Sequence, residues 1–131
     1  MSTGLVVVPI AIGELFDKLS ILEIKADRIT DPFKLAAVRH ELQLLVEARA
    51  GLGLTDPALV DAAAELKAIN ESLWQIEDDI REHERRSDFG PSFVALARSV
   101  YLTNDLRAEV KRRINELTGS GLSEQKSYRP Y

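Results

Sequence analysis

Cysteine is absent from the 131 residues, and there are only two histidines, one methionine and one tryptophan. Without cysteine there can be no disulfide, no thiolate metal ligand and no cysteine nucleophile. His40 and His83 are isolated, and neither belongs to an H-x-x-x-H or H-E-x-x-H pattern, so no zinc motif is present. No apolar run approaches the roughly 18–20 residues that a membrane span needs. No basic segment precedes the short Leu5–Val8 run, which therefore does not read as a signal peptide, and the expectation is a cytoplasmic protein. There is no G-x-S-x-G elbow and no G-x-x-x-x-G-K-[ST] loop, so neither a hydrolase triad nor a nucleotide cofactor is indicated, and no cofactor is expected. A net charge of −4 argues against a general nucleic-acid binder.

What is present is an ordinary globular composition, 45% apolar and 29% charged. The length fits one domain, and a folded chain of 14.6 kDa would bury roughly two thirds of its open-chain surface, enough for a core without staples. Charge is uneven. Residues 1–97 carry 10 Lys/Arg and 17 Asp/Glu, net −7, whereas residues 98–131 carry 7 and 4, net +3. The basic last third is expected to pack against acidic helices of the same fold.

Periodicity predicts an all-α, antiparallel, bundle-like domain over residues 1–131 with four helices. Leu5-Val6-Val7-Val8 is β-branched and stopped by Pro9, which reads as a short strand or extended segment within residues 1–12. From Gly13, the spacing of Leu15, Leu19, Leu22, Ala26 and Ile29 is helical. Phe16, Ile21 and Ile24 widen the stripe enough to bury this helix on more than one side. Asp31-Pro32 ends it and caps a second helix to about Ala50, with Leu35, Val38, Leu42 and Leu45 facing inward. Gly51 and Gly53 stop that helix. Thr55 or Asp56 then caps a long third helix to about Arg86, striped by Leu59, Ala63, Leu66, Ile69, Leu73, Ile76 and Ile80. About 30 residues at 1.5 Å each span about 45 Å, too long for a compact domain of this size unless the helix overhangs or serves in a dimer. A fourth helix runs from about Pro91 to Leu117, and residues 119–131 form an extended surface tail. Short connections imply that sequential helices are neighbours.

Polar residues interrupt these stripes. Asn104 and Arg107 lie on the inner face of the fourth helix, with Tyr101, Asp105 and Lys111 alongside; Asn70 and Glu77 lie at the edge of the third. A buried arginine costs several kcal/mol unless it is paired, so Arg107 should meet an acid, with Glu77, Asp78, Glu14 and Asp17 as candidates. Such a pair either fixes helix register or lines a pocket for an anion. The first turn of the first helix would suit an anion too, but Glu14 and Asp17 are expected to satisfy it. Glu77, Asp78, Asp79 and Glu82 alternate with Arg81, Arg85 and Arg86 at helical spacing, as on a solvated helix face.

Four stretches carry a resemblance: V-P-I-A-I-G-E-L-F-D-K-L-S-I-L-E-I-K (8–25), L-W-Q-I-E-D-D-I-R (73–81), A-R-S-V-Y-L-T-N-D-L-R-A-E-V-K-R-R-I-N (97–115) and E-Q-K-S-Y (124–128). The chain resembles an uncharacterised family of short bacterial proteins, a domain of unknown function. Phe16 stands where that family often has isoleucine, and Gln125 where it often has an acid. The resemblance implies at most an accessory role in surface-sugar assembly and assigns no residue a role. Its stretches coincide with the polar interruptions, which makes Glu14, Asp17, Lys18, Glu77, Asp78, Tyr101, Asn104, Asp105, Arg107 and Lys111 the candidate site. Two functions are expected from this pattern. The first is a non-enzymatic helical module that forms a homo-oligomer, most simply a dimer, and binds a protein partner. The second is a small-molecule site for a phosphate- or carboxylate-bearing ligand.

Overall fold

A computed structural model describes residues 4–131. The described residues form four helices: α1 (Ile12–Arg28), α2 (Pro32–Ala50), α3 (Pro57–Arg85) and α4 (Pro91–Thr118). Two of the starts have a local cause. The Asp31 carboxylate accepts hydrogen bonds from the Phe33 and Lys34 amides at 2.9 and 3.1 Å, ahead of Pro32 at the first helical position. Asp56, rather than Thr55, does the same for Ala58 at 2.9 Å, ahead of Pro57. α4 ends at Gly119, whose φ of 64° is the left-handed conformation that glycine adopts without a Cβ penalty.

No strand forms among the described residues; Leu5–Val8 has no regular secondary structure and lies open to solvent, with Val7 95% exposed. Four residues with no ladder partner and no packed face gain nothing that would hold them as a strand. The tail beyond Gly121 is likewise without helix or strand.

The core is built by α1, α3 and α4. Phe16, Leu59, Ala62, Leu66, Val110 and Ile114 form the buried cluster, with Leu15, Leu19, Leu22 and Ile24 completing the buried sides of α1. The α1 and α4 helices run antiparallel, since Gly13 meets Asn115 while Asp17 meets Arg107. The same holds for α3 and α4, where Glu65 pairs with Arg113 and His83 lies beside Phe93.

Two features depart from the expected bundle. First, α2 packs on α1 alone and does not approach α3, so a short connection here does not make neighbours of sequential helices. None of its residues is buried: Leu35, Val38, Leu42 and Leu45 are only half-covered by α1, and Phe33 is 89% exposed. Second, α3 and α4 outrun α1. Between Asn70 and Val110 no residue is buried, although Leu73, Ile76 and Ile80 on α3 and Phe93, Leu96 and Val100 on α4 keep the spacing of an apolar stripe. The result is a two-helix arm projecting from a three-helix core. The accessible surface of 9093 Å² reflects this shape; a compact protein of the same mass would keep about 6,900 Å².

At Gly13 the α1 backbone lies close against that of α4. A Cβ there would fall on the Lys111 carbonyl oxygen of α4 and 2.9 Å from Asn115 Oδ1. In an open helix, glycine to alanine is favourable by about 1 kcal/mol. Here the obstacle is backbone that cannot step aside, so the sign reverses. Gly13→Ala is expected to destabilise the protein by about 1–3 kcal/mol, the cost of overpacking, read as a lower urea midpoint. A midpoint that rises would mean that α1 and α4 are not in contact at this point.

Candidate functional site

The start of α1 is capped by α4 and the residues just after it, not by its own acids. Ala11 precedes the helix and offers no side-chain cap. The Ile12 amide instead donates to Ser120 Oγ at 3.0 Å, and the Gly13 amide to Asn115 Oδ1 at 2.7 Å. This corrects the expectation that Glu14 and Asp17 satisfy the first turn, and both carboxylates are thereby free for side-chain partners.

Asp17 is 1% exposed and stands at the hub of a polar network. Arg107 Nε donates to its Oδ1 at 2.9 Å, while Arg107 Nη2 donates to Oδ2, so the guanidinium grips both oxygens in a fork. Asn70 Nδ2 donates to the same Oδ1 at 2.9 Å and to Ser20 Oγ at 2.7 Å, and the Ser20 hydroxyl donates to the Asp17 backbone carbonyl at 2.8 Å. Lys111 Nζ stands 3.9 Å from Oδ2. One carboxylate from α1 thus holds side chains from α3 and α4 together.

Burial pushes the Asp17 carboxyl up, but the hydrogen bonds from Arg107 and Asn70 and the charges of Arg107 and Lys111 outweigh it, and the group ends below the ordinary aspartate range. The Arg107 guanidinium is held charged, chiefly by its bond to Asp17. Burial pulls Lys111 down, while hydrogen bonds to Glu14 at 2.8 Å and Glu124 at 3.1 Å, with the charge of Asp17, carry it above its usual value. Glu124 is correspondingly lowered, first by its bond from Lys111.

The sequence-predicted residues therefore fall into groups. Glu14, Asp17, Arg107 and Lys111 converge directly, and Lys18 joins at the rim, 3.9 Å from Glu14. Of the four acids proposed for Arg107, Asp17 is the partner, and Arg107 is only partly covered, its side chain 29% exposed. Asn104 touches it through a long 3.4 Å contact from Arg107 Nη1 to Asn104 Oδ1. Glu77 and Asp78 do not bond Arg107; Glu77 faces Arg81 at 3.8 Å, and both acids line a groove with Arg107, Asn104 and Asn70. Tyr101 and Asp105 stand apart on the outer side of α4, where they hold the tail: Tyr131 donates its hydroxyl to Asp105 and sets its ring edge-on to Tyr101, 5.4 Å between centroids.

Five participants lie outside the predicted set: Asn70, Glu124, Ser20, Asn115 and Ser120. Asn70 interrupts the α3 stripe, and Glu124 lies within the fourth matching stretch, so each has a signal in the sequence. Ser20 and Asn115 also lie within matching stretches, but no break in the apolar stripes marks them, and the Gly13 amide that Asn115 accepts from is brought near only by the fold. The basic last third does meet acids of its own chain, through Arg107, Lys111 and the Arg113–Glu65 pair.

A family model of unknown function, DUF6165, matches residues 6–130. The chain belongs to that family. No curated protein and no solved structure matches it. The DUF6165 match spans the hub, the arm and the tail alike. Among the described residues, no helix is long and apolar enough to cross a membrane.

Truncating Arg107 would leave the Asp17 carboxylate buried with only Asn70 and a distant Lys111. Arg107→Ala is expected to cost about 3–5 kcal/mol, read from urea unfolding; an unchanged midpoint would mean that Asp17 is solvated. The pH dependence follows from the direction of the shift. A carboxyl whose folded value is depressed contributes stability above its unfolded value, near 3.8, and loses it as pH falls through the folded value. Stability should therefore fall steeply on acidification below about pH 4. Asp17→Asn should flatten that slope, measured as urea midpoints against pH; an equal slope in both proteins would remove Asp17 as its source.

Proposed function

We propose that this protein is a non-enzymatic helical module that self-associates as a two-fold dimer through the α3–α4 arm. The observation that carries the reading is the unburied stretch between Asn70 and Val110. Leu73, Ile76, Ile80, Phe93, Leu96 and Val100 form the stripe of a helix pair that has no third layer to cover it. Two helices cannot enclose an apolar seam, whereas two such pairs make a four-helix bundle.

The occupant best suited to the arm is a second copy of the same arm. An isologous interface needs one self-complementary patch, and an antiparallel helix pair with apolar residues on both members offers one. The surface in excess of a compact protein, roughly 2,200 Å² per chain, more than covers the roughly 800 Å² that a standard interface removes from each partner. The polar groups support the same reading. Asp17, Arg107, Lys111 and Glu14 neutralise one another, and no buried side-chain polar atom among the described residues lacks a partner, so the hub needs no ligand to be stable.

Sedimentation equilibrium at micromolar concentration tests the proposal. The wild type should have the mass of two chains. Ile80→Glu with Val100→Glu should have the mass of one, with helical circular dichroism retained, because both positions lie outside the buried core. A single-chain mass for the wild type throughout would overturn it.

A further inference from the structure

The groove at the root of the arm, where α1, α3 and α4 meet, holds about 380 Å³. It is a different feature from the apolar stripe, and what distinguishes it is unused hydrogen-bonding capacity. Asn70 is 5% exposed, and its amide nitrogen is fully engaged by Asp17 and Ser20. Its carbonyl oxygen accepts no hydrogen bond among the described residues and, since no buried side-chain polar atom there lacks a partner, opens to the groove that Asn70 lines. Arg107, also on the wall, spends Nε and Nη2 on Asp17 and leaves Nη1 with only the 3.4 Å contact to Asn104. A guanidinium oriented by a buried carboxylate and still open on one edge is a prepared donor for an incoming carboxylate. The Asn104 amide nitrogen beside it also has no partner among the described residues.

The remaining walls narrow the chemistry. Asp78 has no partner among the described residues, and Glu77 has only Arg81 at 3.8 Å. The lining carries both signs, with Arg107 and Arg81 opposing Glu77 and Asp78, and Asp17 stands behind Arg107. A doubly charged phosphate would meet two carboxylates there, whereas a ligand bearing one positive and one negative group would find a counterpart for each. Ile21, Ile24, Leu73 and Trp74 supply an apolar wall. Concave space with a few convergent polar groups on an apolar wall is the usual build of a small-molecule site.

We infer that this groove binds a zwitterionic α-amino acid with an apolar side chain, its carboxylate on Arg107 and Asn104, its ammonium on Asp78, and its side chain against Trp74 and Ile24. The site goes beyond self-association and does not depend on it.

Titration calorimetry of the full chain with L-leucine at millimolar concentrations is the test, with N-acetyl-leucine, leucinamide and inorganic phosphate as comparisons. Saturable heat should appear for leucine. Removing the ammonium or the carboxylate should weaken binding by roughly tenfold or more, the usual value of a hydrogen bond to a charged group. Asp78→Asn is exposed and outside the core, so it should leave the fold intact and erase the preference for leucine over N-acetyl-leucine; Asn104→Ala should weaken leucine and N-acetyl-leucine alike. No heat with any amino acid, equal binding of phosphate, or a preference unchanged by Asp78→Asn would each overturn the inference. Sedimentation of the same samples keeps the two readings apart: a dimer that binds no amino acid overturns this one alone.

Discussion

The fold depends on one buried carboxylate. Asp17 sits inside the three-helix core at a position where an apolar residue would pack without electrostatic cost. It is tolerated because its demands are met from two other helices: by Arg107 and the flanking Lys111 on α4, and by Asn70 on α3. A buried pair of this kind is a weak source of net stability but a strong selector of register, because any other alignment of the helices would strand a charge. Sliding α4 by one turn would remove both the Arg107 fork and the Asn115 cap on Gly13 at once. The two contacts lie about one turn of α1 apart, so together they fix the position and the rotation of α4 against α1.

Capping in trans completes this arrangement. Ser120 and Asn115 take the Ile12 and Gly13 amides that Ala11 cannot satisfy. Gly13 is needed because those bonds require the backbones to touch, and a Cβ would occupy the same space as the α4 carbonyl. The first helix is thus poorly bounded by its own sequence and well bounded by its partner. The second and third helices are the reverse, each with an aspartate cap followed by proline.

That contrast explains what was legible in the sequence. Helix positions followed from local chemistry: spacing of leucines, Asp-Pro starts and glycine stops, all of which act within a few residues. The need of Arg107 for an acid was legible too, since it follows from the cost of a buried charge. Which acid was not, because Glu14, Asp17, Glu77 and Asp78 are equivalent until the helices cross. The place of α2 was also hidden. Leu35, Val38, Leu42 and Leu45 have the spacing of a core-facing stripe, but spacing records that a face wants covering and not what covers it. The structure gives that face only to α1, and gives the core to α1, α3 and α4.

The same distinction separates the two halves of α3. Up to Asn70 its stripe is buried by α1 and α4; from Leu73 onward the spacing continues with nothing beyond α4 to meet it. Propensity does not explain a helix that persists so far beyond its core, since a pair of helices with a half-exposed seam recovers little of the entropy that ordering them costs. The polar surface follows a parallel division. On the tail side of α4, Lys111 is closed off by Glu14 and Glu124, a fully matched set. On the arm side, Arg107 is matched on one edge and open on the other. The hub therefore holds the helices together through the Asp17 edge and leaves the opposite edge of the same guanidinium, backed by Asn70, as polar surface with hydrogen-bonding capacity to spare.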